Sequence, residues 1–337
     1  MRAHPPLAGQ PLIGAHVPVS GGLAAGGLRY AAAIGAEAIQ VFVSNPRAWA
    51  LSDGDAGQDE LIRGRIATTG LPVFVHAPYL INVGSPDPAI RENSVRSLGH
   101  SLRRAAGIGA LGVVVHTGSA TSGGRDQALR HARECLLPLL DSIGDQGPDL
   151  LLEPTAGKGH MLCASVTDLA PYLDAIDWHQ RAGVCLDTCH VFAAGHDLAA
   201  DAGAARMLGA LAAATSRGIA ADDRGGPGRL KLIHANDSKD PCGSRRDRHE
   251  NIGAGQIGTA AFRDLLRHPA TEGVPFIAET PGPQSAQATD VSTLRRLWAG
   301  WEPPDAETLQ GSTACSGTPG SGTRTAGPDS PGRSLPG

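Results

Sequence analysis

Eight short apolar runs recur along this chain, and their spacing limits the folds open to it. They are "LIGAHVPV" (12–19), "AIQVFV" (38–43), "PVFVHAP" (72–78), "LGVVVHTG" (111–118), "DLLLEPT" (149–155), "RAGVCLDT" (181–188), "RLKLIHAND" (229–237) and "VPFIAETP" (274–281). None exceeds nine residues, and most are rich in Val, Ile or Leu, as in strands buried on both faces. Between them lie helix-compatible segments such as "PAIRENSVRSLGHSLRRAAGIGA", where Ile90, Ser94, Leu98 and Leu102 fall at helical spacing. Eight strand–helix alternations predict an α/β fold, a (β/α)8 TIM barrel over residues 1–302. A doubly wound open sheet is the alternative closure. From residue 303 to 337 the chain turns rich in Pro, Gly, Ser and Thr, without apolar periodicity. That composition predicts a disordered tail, and "ADDRGGPG" (221–228) reads as a shorter loop of the same kind.

The ionisable residues fall in a pattern. His76, His116, Glu153, Asp187, His234 and Glu279 each sit at or near the C-terminal end of a different apolar run. In a barrel those ends form the catalytic face. Alternation along a strand makes Leu232 and His234 point the same way, and likewise Cys185 and Asp187. Loops add His190 and the Asp247/His249 pair of "GSRRDRHENIG". Singly, each is unremarkable: a strand-end His is commonly a hydrogen-bonded structural residue. Together, five imidazoles and four carboxylates at one rim would repel and leave polar atoms half satisfied. Divalent cations remove that cost, and nine donors exceed what one tetrahedral centre needs, so two or three ions are expected. The N and O donors fit Zn2+ or Mn2+.

"GVCLDTCH" (183–190) interleaves two thiols with Asp187 and His190. Since partners elsewhere in the chain are imidazoles and carboxylates, Cys185 and Cys189 read as small buried fillers. The other cysteines (135, 163, 242 and 315) are scattered, and "MRAHPPLAGQPL" has no apolar signal core. No apolar run is long enough to span a bilayer, so a cytoplasmic protein with reduced thiols is expected. A formal charge of −4 gives no global attraction to nucleic acid, so any such contact needs a local patch or bound cations.

"IGAHVPVSGGL", "FVSNPRAW", "VHAPYLINVGSPD", "VVVHTGS", "LLEPTAGKG", "GVCLDTCHVFAAGHDL", "HANDSKDPCGSRRDRHENIGAGQIG" and "PFIAETP" occur in order. The series resembles the endonuclease IV family, barrel-fold apurinic/apyrimidinic endonucleases of DNA base-excision repair, from about residue 12 to 298. "CLDTCH" and the "DRH" segment are its specific motifs. The resemblance implies three zinc ions, with Mn2+ an alternative at one site. His76 and His116 would hold one ion, and Glu153 would bridge it to a second held by Asp187, His234 and Glu279. His190, Asp247 and His249 would hold the third. Glu153 and Glu279 are the implied catalytic carboxylates. Arg47 and the Tyr79–Leu80 pair match residues that enter and kink the duplex at the lesion. Arg245, Arg246, Arg248 and Lys239 are candidate phosphate clamps.

The implied reaction is hydrolysis of the phosphodiester 5′ to an abasic site, leaving a 3′-hydroxyl and a 5′-deoxyribose phosphate, with removal of 3′ blocking groups. The implied partner is double-stranded DNA containing abasic sites, bound by a monomer that requires no protein partner or membrane. Departures from the family pattern are Pro154 for the usual Asn, Lys158 for a usual Gln, and "HTGS" (116–119) for a Pro-Gly version. They bear on metal affinity and substrate range. Rival readings are a metal-dependent sugar isomerase or epimerase on a similar barrel, and a non-catalytic lesion-binding protein.

Overall fold

A computed structural model describes residues 10–216 and 228–300. The tail expected from residue 303, its boundary, and residues 221–227 of the predicted loop lie outside the described residues.

In chain order the strands are β1 (Ile13–His16), β2 (Ile39–Val41), β3 (Val73–His76), β4 (Gly112–His116), β5 (Asp149–Glu153), β6 (Ala182–Asp187), β7 (Leu230–His234), β8 (Asp237–Ser238), β9 (His249–Glu250) and β10 (Phe276–Ala278). β1 to β7 pair in parallel in sequence order; β10 follows β7 and closes on β1. The predicted barrel is therefore the observed one, and the open sheet is excluded. β8 and β9 form a separate antiparallel ribbon after β7.

The helices include α1 (Arg29–Ile34), α2 (Ala56–Thr69), α3 (Pro88–Ile108), α4 (Arg125–Asp141), α5 (Leu169–Ala175), α6 (Thr188–Ala193), α7 (Gly203–Thr215), α8 (Gly258–Arg267) and α9 (Gln284–Trp298). Local chemistry sets their starts. At α3 the Asp87 carboxylate accepts from the Ala89 amide at 2.8 Å, and Pro88 occupies the first turn, where its missing N–H costs nothing. Ser94, Leu98 and Leu102 of α3 are buried as the spacing predicts. Ile90 is not; it lies 36% exposed near the helix start.

Side-chain alternation divides the core in two. Outward-facing residues such as Val73, Val75, Leu150, Leu152, Val184 and Leu186 pack with α3 and α4 residues including Leu98 and Leu136. The barrel interior is filled by Ala38, Phe74, Val114, Leu151, Cys185, Leu232 and Ile277. Each fully buried Leu, Ile or Phe of these layers is worth about 1.5–3 kcal/mol of transfer free energy. β1 contributes no side chain to the inner layer because Gly14 stands there; a Cβ on Gly14 would collide with the Ala38 carbonyl.

Candidate metal centre at the barrel mouth

Two residues beyond each inner apolar residue stands a polar one: His76 after Phe74, His116 after Val114, Glu153 after Leu151, Asp187 after Cys185, His234 after Leu232, Glu279 after Ile277. The period of two thus stacks a polar layer on the apolar plug. Register levels it, since His116 pairs with Glu153 and Asp187 with His234. The same rule adds two residues that the sequence reading missed, His16 after Gly14 and Gln40 after Ala38. A consistent two-residue step at every strand would have found both.

Glu153 is the hub. It is fully buried, with His76 Nε2 at 3.4 Å and His116 Nε2 at 3.3 Å from Oε2. Its Oε1 lies 3.3 Å from His190 Nδ1 and 3.1 Å from His234 Nδ1. Glu279 Oε2 approaches His234 Nδ1 to 3.3 Å. Asp187 Oδ2 lies 3.9 Å from His234 Nδ1 and 3.5 Å from His249 Nε2. Asp247 reaches His190 Nε2 at 3.2 Å and His249 Nε2 at 3.1 Å. All nine expected donors therefore gather at one mouth.

Several local devices hold them there. Asp187 also caps α6, its Oδ1 accepting from the His190 amide at 3.0 Å, so one carboxylate orients two donors. Asn236 donates from Nδ2 to Asp187 Oδ2 at 2.7 Å and accepts from the Glu279 amide at 2.8 Å. It ties three strand ends together, and the sequence reading missed it. The β8–β9 ribbon pairs Ser238 with His249 and turns Asp247 and His249 back over the mouth. Asp237 anchors the following loop by accepting from the Gly253 and Ile257 amides at 2.9 and 2.8 Å.

Two buried atoms decide whether cations fit. Glu153 Oε2 and His249 Nε2 have no hydrogen-bond partner, an expensive state for a buried polar atom. Both face other donors across a common space. The triads His76/His116/Glu153, Glu153/Asp187/His190 and His190/Asp247/His249 each keep their donor atoms within 4.8 Å of one another. Several ring orientations are set by backbone carbonyls: His76 Nδ1 to Ala77 O at 2.7 Å, and His249 Nδ1 to Glu279 O at 3.2 Å. Each ring's Nε2 is thereby left for a cation, the usual arrangement around metal-ligating histidines. The residues fit divalent metals.

Electrostatics agrees. Burial opposes charge on His190, His234 and His249, but the surrounding carboxylates outweigh it and raise all three, His249 to about 9. Burial likewise opposes ionisation of Glu153, Asp247 and Glu279, yet the imidazoles hold all three well below the usual carboxylate range. Without metal the site thus keeps protons where cations would sit. Burial pushes the Cys185 and Cys189 thiols up to about 12, so they are neutral fillers as expected.

A pH dependence follows for chelator-treated protein. The raised imidazoles stabilise the fold fully below their ordinary value near 6.5 and lose that contribution as pH climbs through about 9. The depressed carboxylates contribute above about 4 and lose it in acid. Its melting temperature is expected to be highest between about pH 4.5 and 6.5 and to fall toward pH 9. Metal-loaded protein, whose imidazoles are already deprotonated, shows no such alkaline decline. A stripped protein that grows more stable from pH 6.5 to 9 contradicts this balance.

The aromatic rim lies beside the first triad. Tyr79, 47% exposed, stacks on His116 at 5.7 Å and meets His76 edge-on at 5.2 Å. Leu80 beside it is 38% exposed, and Arg47 is exposed on the neighbouring loop, whose Pro46 carbonyl accepts from the Tyr79 amide at 3.0 Å.

The xylose isomerase-like TIM barrel family matches residues 28–298. The probable endonuclease 4 of Streptomyces avermitilis is 56% identical over 298 residues, covering 88% of this chain and 92% of that protein. The chain belongs to the endonuclease IV family. The crystal structure of endonuclease IV from Thermus thermophilus matches with a TM-score of 0.72 at 32% identity, covering 85% of this chain and 98% of that one. A D-tagatose 3-epimerase-like protein matches at 0.62 with 18% identity over 81% of this chain and 92% of that one, and shares the fold.

Against the endonuclease IV pattern, the departures have structural readings. Pro154 lacks the amide donor, but its carbonyl lies 3.1 Å from His190 Nδ1, so the ring keeps a backbone partner. Lys158 lines an open cleft of about 780 Å³ together with Arg245, Arg246, Asp247 and Arg248. Not all the candidate phosphate clamps are equal. Arg248 forks onto Asp240, Arg246 lies 3.6 Å from the same carboxylate, and Lys239 lies 3.7 Å from Glu250. Among the described residues no helix is long and apolar enough to cross a membrane.

Proposed function

We propose that this chain is an apurinic/apyrimidinic endonuclease of DNA base-excision repair that cuts the phosphodiester 5′ to an abasic site. The products are a 3′-hydroxyl and a 5′-deoxyribose phosphate, and the same site clears blocked 3′ ends. The observation that carries the reading is the convergence of nine histidine and carboxylate donors on one mouth around the orphaned Glu153 Oε2. Three Zn2+ ions per chain are proposed, with Mn2+ an alternative at one: His76, His116 and Glu153 for the first; Glu153, Asp187, His234 and Glu279 for the second; His190, Asp247 and His249 for the third. When bound, such ions generate a nucleophile from water at neutral pH and neutralise charge on phosphate and leaving oxygen.

Within that frame the protein positions and discriminates. Glu153 or Glu279 would steady the attacking water by accepting a hydrogen bond from it, since both carboxylates face the mouth and the surrounding imidazoles hold both below the usual carboxylate range. Arg245 and Lys158 offer cations to the flanking phosphates along the open cleft. Arg47, Tyr79 and Leu80 form a wedge at the rim, where apolar and aromatic groups trade unstacking for a bent duplex. An abasic nucleotide has already lost its stacking and pairing, so it is the cheapest to extrude. We further propose a cytoplasmic monomer acting on duplex DNA without a protein partner.

Incision of a duplex oligonucleotide with one abasic site, with and without chelator and alongside metal analysis, tests the reading. Chelator-sensitive cleavage 5′ to the site supports it. Ketose–aldose conversion without nuclease activity would replace it with the sugar-isomerase reading. For the wedge, Tyr79→Ala is expected to reduce preference for abasic over intact duplex by about tenfold while leaving metal content unchanged. Equal preference in mutant and wild type would reduce Tyr79 to packing.

A further inference from the structure

Gln40 is fully buried in the middle of β2, a strand that supplies none of the nine donors, and its side chain touches two of them. Its Nε2 lies 2.6 Å from Glu279 Oε1 and 3.0 Å from His16 Nδ1. A carboxylate oxygen only accepts, so the atom facing it is the amide N–H2, and Oε1 is the end facing His234. Gln40 Oε1 lies 2.9 Å from His234 Nε2. A carbonyl oxygen also only accepts, so that imidazole nitrogen carries the proton. For the neutral ring that metal binding requires, the tautomer of His234 is thereby determined, with the lone pair on Nδ1.

That nitrogen is the one directed into the cluster, 3.1 Å from Glu153 Oε1 and 3.3 Å from Glu279 Oε2. His76 and His249 use the opposite arrangement, with Nδ1 against a backbone carbonyl and Nε2 toward the site. A backbone carbonyl is available to any residue, whereas the His234 partner depends on one side chain. The same amide turns Glu279 so that Oε2 rather than Oε1 meets His234.

We propose that Gln40 is a positioning residue that sets the His234 tautomer and the Glu279 rotamer together, so that both present their donors to the second metal. This rests on the assignment of His234 and Glu279 to that ion in the preceding section. His16 completes the amide's second donor contact. Two donors from β7 and β10 are thus aligned by one amide on β2.

The test loads purified protein with Zn2+ alone and titrates it with a competing chelator. Gln40→Met keeps the volume and removes all three polar contacts; it is expected to weaken retention of one zinc per chain by about 10–100-fold. Long-range 1H–15N spectra of the zinc-loaded wild type are expected to show His234 protonated at Nε2, and Gln40→Met to lose that single-tautomer signature. Gln40→Glu keeps an acceptor for His234 but sets a carboxylate against Glu279. It is expected to retain the tautomer and still lose zinc, which also covers a Gln40→Met that does not fold. Wild-type zinc retention in either variant, or an unchanged His234 spectrum in Gln40→Met, overturns the proposal, while zinc loss in His234→Ala leaves the metal assignment standing. Wild-type protein that holds no stoichiometric zinc overturns the assignment itself.

Discussion

Glu279→Gln is expected to lower incision of an abasic duplex by about 10³-fold while leaving binding of that duplex within about twofold of wild type. The substitution keeps size and most hydrogen-bonding shape and removes one negative charge. That charge stands 3.3 Å from His234 Nδ1 and 3.4 Å from His16 Nδ1, at the end of β10. The surfaces offered to DNA, Tyr79 and the Lys158–Arg245 cleft, lie on other loops and are untouched. Loss of rate without loss of binding is the signature of a group used in the transition state. Wild-type rates from Glu279→Gln would remove this carboxylate from the mechanism.

Glu153→Gln is expected to act more broadly, removing incision and at least one chelator-resistant metal per chain. Four imidazoles, those of His76, His116, His190 and His234, stand within 3.4 Å of its carboxylate. An amide offers one neutral oxygen in place of two anionic ones, so it would be a poor ligand for the two ions that Glu153 is proposed to hold. Metal analysis after dialysis against chelator reads the loss directly. A mutant with full metal content would show that the triads hold their ions without a bridge.

Six of the nine donors were legible because their strands alternate faces and the barrel closes, so a polar residue at a strand's C-terminal end has one place to go, while His190, Asp247 and His249 were legible only through the motifs that carry the family resemblance. His16 and Gln40 sit at equivalent positions but escaped notice, since a Gln within "AIQVFV" reads as an interruption of an apolar run. Asn236 lies past the end of β7 and shows its purpose only through contacts to Asp187 and Glu279. The candidate phosphate clamps were the least legible. Arg245, Arg246 and Arg248 are chemically alike in sequence, and only the position of Asp240 separates the two held by a carboxylate from Arg245.

By itself the sequence determined the barrel, the rim at which the chemistry sits and the residue types gathered there. These follow from local periodicity, which each strand carries in its own few residues. The tertiary structure alone decided which atom of each side chain is free. Hydrogen bonds between residues distant in the chain orient each ring and carboxylate, as when Gln40 meets His234, and no local pattern encodes such a meeting.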